Sequence, residues 1–197
     1  MGAALGNIGA AMAREGQVAA ATTHLRDVER IATLTGDLRV AANAISELGG
    51  LNKETGDLAA AREAYARAIM LRGRVGGSRG LAADHNNVAA VLRATGDVDG
   101  ARRELEAALL MNRQERRLDA AATNLVNLAS LAADAGAFGR ADDDYRDALV
   151  IWQERGDTAE AASALSGLGE LSLRRGDYPA ALTHDTDAAT ILDRTAR

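Results

Sequence analysis

Gly16, Gly56, Gly96, Gly136 and Gly176 stand forty residues apart along a chain of 197 residues. An interval held from end to end means that one structural unit is stacked in series, each copy burying its apolar face against its neighbours. The residues around each glycine recur as well. Asp follows it at 57, 97 and 177, and an apolar residue comes next at Val18, Leu58, Val98, Phe138 and Tyr178. Gly-Asp before an apolar run reads as a helix stop followed by an N-cap: glycine tolerates positive φ, and the aspartate oxygen accepts free backbone N–H groups.

Behind the turn the spacing is helical. Ala21, Ala61, Ala101, Ala141 and Ala181 share one seat, followed by Leu25, Tyr65, Leu105 and Tyr145, with Asp185 breaking that series. Val28, Ala68, Ala108, Ala148 and Ala188 come next, then Ile31, Leu71, Met111, Ile151 and Ile191. Steps of three and four residues trace one face of an α-helix. A second helix precedes each glycine, with core seats Leu5, Ile45, His85, Leu125 and Leu165, then Ile8, Leu48, Val88, Leu128 and Leu168. After these stand Gly9, Gly49, Ala89, Ala129 and Gly169, small residues that let the paired helices approach closely. Pro179, the only proline, falls in the first turn of its helix, where the missing N–H costs least. No stretch alternates with period two, so no sheet is expected. The expected architecture is all-α: five helix–turn–helix units, approximately 1–35, 36–77, 78–116, 117–156 and 157–197, with ten helices in a single solenoid.

These residues resemble the tetratricopeptide-repeat family. The resemblance is carried by Leu48-Gly49 and Leu168-Gly169, by the Gly-Asp turns, and by Gly176-Asp177-Tyr178-Pro179-Ala180-Ala181-Leu182. The family's basic unit has 34 residues; the longer unit here is similar to the variety found in kinesin light chains and in bacterial regulators and peptide sensors. Two family features are missing, since Trp152 lies away from the family's Trp seat and no proline closes the second helix. The resemblance implies a right-handed superhelical solenoid whose concave groove, lined by the first helix of each unit, holds a protein or peptide.

Carried onto this chain, the groove seats include Asn7 and Arg14 in the first unit, and Asn43, Ser46, Glu47, Gly50, Lys53 and Glu54 in the second. The third unit supplies Asn86, Asn87 and Arg93, the fourth Asn127 and Ser130, the fifth Arg174. Asn7, Asn87 and Asn127 share one phase. An amide carries donors and acceptors, so it pairs with either side of an extended peptide bond, and Arg14, Lys53 and Arg93 add positive charge toward a carboxylate. The alternative is that these asparagines only cap or bridge neighbouring helices.

Composition narrows the function further. With 47% hydrophobic but only 3% aromatic residues, the core is Ala/Leu and offers few rings for stacking a flat ligand. The net charge of −5 argues against generic nucleic-acid binding, which depends on neutralising phosphates. Arg102-Arg103, Arg116-Arg117 and Arg174-Arg175 read as solvated helix faces and ends. No apolar run reaches transmembrane length, and no basic region followed by an apolar run opens the chain. Without cysteine there is no disulfide framework and no thiolate metal site. A cytoplasmic protein without cofactor or metal is expected, and the excess of arginine over the single lysine, Lys53, points to a bacterial source.

Several features invite sharper readings. Gly73 to Gly80 holds four glycines in eight residues, which predicts an early end to the helix before it and a mobile loop, either flexing or lying over an intact interface. The opening helix contains Gly2, Gly6 and Gly9 with no capping segment in front, as in the repeat region of a longer protein or a helix covered by a partner. The last helix is polar, as suits a terminal repeat. His24 and His184 lie four units apart and share no metal, whereas His85 takes a core seat as a hydrogen-bonded imidazole. Asp142-Asp143-Asp144 places carboxylates at a helix N-terminus, where the macrodipole favours them; adjacent helical residues point apart and do not cage calcium. The triplets Arg155–Asp157 and Arg175–Asp177 are repeat turns, not adhesion signals. No nucleophile–base set, phosphate loop or carboxylate pair stands out, so no enzyme is expected. The reading is a protein- or peptide-binding scaffold within a bacterial signalling or transcriptional regulator. The alternatives are a quorum-sensing-type peptide receptor, or a structural module that self-associates through its end helices.

Overall fold

The computed structural model describes residues 18–76 and 78–195. Among them nine helices follow one another and no strand occurs: α1 (Val18–Thr35), α2 (Leu38–Glu54), α3 (Leu58–Val75), α4 (Ser78–Ala94), α5 (Val98–Gln114), α6 (Leu118–Asp134), α7 (Phe138–Arg155), α8 (Thr158–Arg174) and α9 (Tyr178–Thr195). The expected helix before Gly16, with Asn7 and Arg14, lies outside the described residues. The chain divides into two compact units, residues up to Ala108 and residues from Leu109, so the division falls within α5.

The turns obey a shorter period than the sequence first suggests. Positive φ recurs at Gly36, Gly56, Gly76, Gly96, Gly136, Gly156 and Gly176, and at Arg116 (φ 54), so the chain reverses every twenty residues. After most of these glycines an aspartate caps the next helix. Asp57 Oδ1 accepts from the Ala60 N–H at 3.0 Å, Asp97 from Gly100 at 2.8 Å and Asp177 from Ala180 at 3.1 Å. Asp37 does the same for Val40 at 3.1 Å, in a turn between repeats.

The expected core is largely in place. The seats of Ala21, Leu25 and Val28 are buried in every described repeat except at the exposed Asp185. The fourth seat is a correction: Ile31 is 53% exposed, and Leu71, Met111, Ile151 and Ile191 are only half-buried. Burial continues instead one residue later, at Ala32, Asn112 and Trp152, because steps of 4, 3 and 4 from Ala21 stay centred on the inner face. Trp152 is thus a core residue.

The Gly-rich junction is a second correction. α3 is not cut short: it runs to Val75, Gly76 closes it at φ 65, and α4 starts at Ser78. Gly80 sits inside α4 for a packing reason, since a Cβ there would lie 2.2 Å from Nη1 of Arg72.

Candidate recognition surface

Two helices of each repeat have different neighbours. In the first unit α2 touches both α3 and α4, and in the second α6 touches both α7 and α8. First helices therefore meet first helices across the repeat boundary, and their outward residues form one face in each unit.

In the first unit that face carries Asn43 and Lys53 on α2, both half-buried, with Asn86 and Asn87, half-buried, and Arg93, exposed, on α4. Asn43 is already engaged, since its Oδ1 accepts from Nη1 of Arg72 at 2.9 Å. Arg72 Nε donates to Asp84 Oδ2 at 2.7 Å, and Ser46 Oγ donates to Asp84 Oδ1 at 2.5 Å. Asp84 is 0% exposed, and burial raises its pKa above the usual carboxylate range despite the lowering by Ser46 and Arg72. This network joins α2, α3 and α4 across the Gly-rich junction. Asp84 and Arg72 were not singled out from the sequence. The available signal was a charge at a seat that elsewhere is Ala44, Asn124 or Ala164.

A tyrosine from the second helix reaches the same face. Tyr65, 1% exposed, lies on α3 against Gly49 of α2, where a Cβ would sit 2.8 Å from its ring. Burial first, then the charges of Asp84, Glu47 and Glu54, push its pKa up to about 12. Nearby, His85 Nδ1 stands 2.5 Å from Glu104 Oε2, the half-buried hydrogen-bonded imidazole expected of that seat. On the other side of α3, an open cleft of about 480 Å³ is lined by Leu58, Arg62, Glu63 and Ala66 with Val91 and Thr95 of α4.

In the second unit the corresponding residues are Asn127 and Ser130, half-buried on α6, and Arg174, exposed at the end of α8. Arg174 pairs with Asp134 at 3.5 Å and lies 5.9 Å from the centre of the Phe138 ring. Arg175 lies over the same ring and 3.7 Å from Asp142. Asp142 also accepts from Arg146 Nε at 2.6 Å, and burial raises the pKa of Asp144. Among the described residues no group of three His, Cys, Asp or Glu side chains is placed to hold a metal ion, and no helix is long and apolar enough to cross a membrane.

Residues 119–194 match the family model of the tetratricopeptide repeat. The likeness to tetratricopeptide repeats is borne out. Solved structures share the fold over almost the whole chain. The nearly identical TPR-like repeats assigned to a kinesin light chain of Podosopora anserina superpose with a TM-score of 0.82 at 17% identity, covering 98% of this chain and 95% of theirs. The apo form of RapI gives 0.83 at 16% identity, covering 94% of this chain and 52% of that one. A Rap protein complexed with competence and sporulation factor gives 0.75 at 16% identity, covering 94% and 53%, so this chain spans about half the length of the Rap proteins. At these identities the shared property is the fold. No curated protein matches the sequence.

Proposed function

We propose that the chain is a non-enzymatic scaffold that binds a protein or peptide along the first-helix faces, α2 and α4 in one unit and α6 and α8 in the other. The observation that carries this reading is the composition of those faces. Asn86, Asn87, Asn127 and Ser130 present small polar groups on packed helices, with Lys53, Arg93 and Arg174 at or near the helix ends. Amide and hydroxyl groups match the donors and acceptors of an extended backbone. Rigid helices lose little entropy on binding. The proposed array is five repeats and ten helices, with Asn7 and Arg14 extending the set, in the cytoplasm of a bacterium as part of a signalling or transcriptional regulator. The carbonyl of Asn43 is taken by Arg72, so its contribution to a ligand is its amide donors.

A narrower second reading, a peptide receptor of the quorum-sensing type, is favoured by the likeness to a Rap protein solved with a bound factor. Pull-down with the purified chain and mass spectrometry identifies the partner; titration calorimetry then compares the parent with the Asn87→Ala, Asn127→Ala, Arg93→Ala triple variant. The scaffold reading expects at least tenfold weaker binding by the folded variant. Unchanged affinity removes the first-helix faces from the interface. Compaction in small-angle scattering on adding the partner peptide selects the receptor reading.

A further inference from the structure

Second helices α3, α5 and α7 carry a charge at one shared seat: Arg62, Arg102 and Asp142. Arg102 is held by carboxylates of its own helix, with Nη2 3.0 Å from Asp99 Oδ1 and Nη1 3.9 Å from Glu106 Oε1. Asp142 is held by two arginines, Arg146 through Nε at 2.6 Å and Arg175 through Nη1 at 3.7 Å. At Arg62 the corresponding side chains are cut back. Ala59 stands at the seat of Asp99, Ala66 at that of Glu106 and Arg146, and Thr95 at that of Arg175. Arg62 is exposed and makes no ion pair or hydrogen bond with another described side chain. Ala59, Arg62, Ala66 and Thr95, with Leu58 and Val91, line the open cleft of about 480 Å³ beside α3. The cleft is therefore the space that truncated partners leave around a cation.

We infer that this cleft receives an acidic side chain and an adjacent apolar one from a bound peptide, the carboxylate on Arg62 and the apolar group against Leu58 and Val91. The sign of the charge follows from the cation: one repeat later the same seat, Arg102, is neutralised by two carboxylates. Leu58 is half-buried and Val91 buried, and covering what they still expose removes apolar surface from water. Glu63 also lines the cleft. It repels a bare anion, but its carboxylate accepts from an amide N–H. Thr95 Oγ1 donates its own proton to the carbonyls of Val91 and Leu92, at 3.1 and 3.0 Å, so its lone pairs are left to accept as well. A peptide brings the N–H groups that these acceptors require; a fatty acid or an inorganic anion brings none. The cleft is centred on a second helix, so the inference goes beyond the first-helix faces and is tested apart from them.

The test uses the full chain, isotope-labelled at its threonine and valine methyl groups, with the Thr95 and Val91 signals assigned from Thr95→Ser and Val91→Ile. Acetyl-Leu-Glu-amide, its neutral isostere acetyl-Leu-Gln-amide and acetyl-Leu-Lys-amide are titrated into the millimolar range. The glutamate probe is expected to shift both signals. The other two should bind roughly threefold more weakly or worse, the scale of one exposed ion pair. Ala66→Glu gives Arg62 the partner that Arg102 has in Glu106, and should abolish that binding. Arg62→Glu should transfer the preference to the lysine probe, as Asp142 takes arginines. Both positions are exposed on a helix, and circular dichroism checks that the helix content is kept. Equal binding of the glutamate and glutamine probes overturns the inference. So does undiminished binding to folded Ala66→Glu, a glutamate preference that survives in Arg62→Glu, or silence from all three probes.

Discussion

Arg72 donates from Nε to Oδ2 of Asp84 at 2.7 Å, and forty residues further on Asn112 donates from Nδ2 to Oδ1 of Asn124 at 2.6 Å. Both pairs join the fourth core seat of a second helix to the same seat of the following first helix. At the flanking junctions those seats hold the buried pairs Ala32 with Ala44 and Trp152 with Ala164. Each junction thus has its own chemistry: small with small, cation with anion, amide with amide, large with small. A repeat paired out of order would bury Arg72 opposite an uncharged seat. Leaving a buried charge without its partner typically costs about 3–5 kcal/mol.

Asp84→Ala should therefore lower the unfolding free energy by roughly 3 kcal/mol or more, read from urea melts. The double variant Arg72→Leu, Asp84→Ala should recover a large part of that loss, because it removes the stranded charge as well. Equal losses in single and double variants would mean that the ion pair is not coupled.

The same aspartate gives a pH dependence with a defined sign. Burial holds the folded pKa of Asp84 above its unfolded value. The folded state therefore keeps the proton longer, and this contribution to stability falls as pH rises from about 4 through the folded pKa. Relative to Asp84→Asn, which does not titrate, the parent should lose stability across that window and hold a constant offset above it. A parent that gains stability relative to Asp84→Asn as pH rises through that window would contradict the assignment.

Much of this was legible in the sequence. The forty-residue glycine series, the Gly-Asp caps and the alanine, leucine and valine seats all follow from local spacing, and among the described residues the structure keeps the series from Gly56 to Gly176 and most of those seats. The half-period was missed because Gly36, Gly76 and Gly156 are interrupted by Arg116, which hides the second series. The Gly-rich junction misled because a glycine's composition signals a break, while Gly80 is there to admit the Arg72 guanidinium. That reason lies in another helix. Of the candidate site, Asn87 and Asn127 were named from their shared phase on seats that the family resemblance supplied, whereas Tyr65 as a group facing the first-helix surface depends on which neighbour has room for its ring.

Room for the ring is set by glycine. Tyr65 lies against Gly49 in the preceding helix, whereas Tyr145, at the equivalent seat, approaches Gly167 in the following helix, to within 2.5 Å of where a Cβ would be. The preceding residue there is Ala129, and the residue equivalent to Gly167 near Tyr65 is Asn87. Gly49→Ala should cost about 1–3 kcal/mol through overpacking, with Tyr65→Leu in the same chain restoring part of it, since Ala89 and Leu105 already coexist one repeat later. Thermal melts of the three variants check this. A neutral Gly49→Ala would show that the ring turns freely.

Burial and neighbouring carboxylates also predict how Tyr65 titrates. With its pKa at about 12, the folded chain retains a proton that the unfolded chain loses near the ordinary tyrosine value of 10.0. Stability from this group is intact below pH about 10 and declines as pH rises toward the folded pKa. The difference in phenolate absorbance between the parent and Tyr65→Phe should show a midpoint near 12. A midpoint at the ordinary value would place the hydroxyl in open solvent.

Arg116 is the one described non-glycine residue with positive φ, at a turn position that glycine occupies in the other seven reversals. A side chain in the left-handed region costs of order 1–2 kcal/mol from contact between Cβ and the following carbonyl. Glycine removes that contact but adds freedom to the unfolded chain. The turn's hydrogen bonds do not depend on the side chain: Arg116 N–H donates to the Arg113 carbonyl at 3.0 Å, and Arg117 N–H to that of Asn112 at 2.8 Å. Arg116→Gly should then raise stability by roughly 1 kcal/mol, or about 2–4 °C in Tm for a chain of this size, while Gly96→Ala, the reverse change at an equivalent turn, should lower it by a similar amount. A fall in Tm for Arg116→Gly would mean that the arginine side chain supplies an interaction worth more than the backbone strain it imposes.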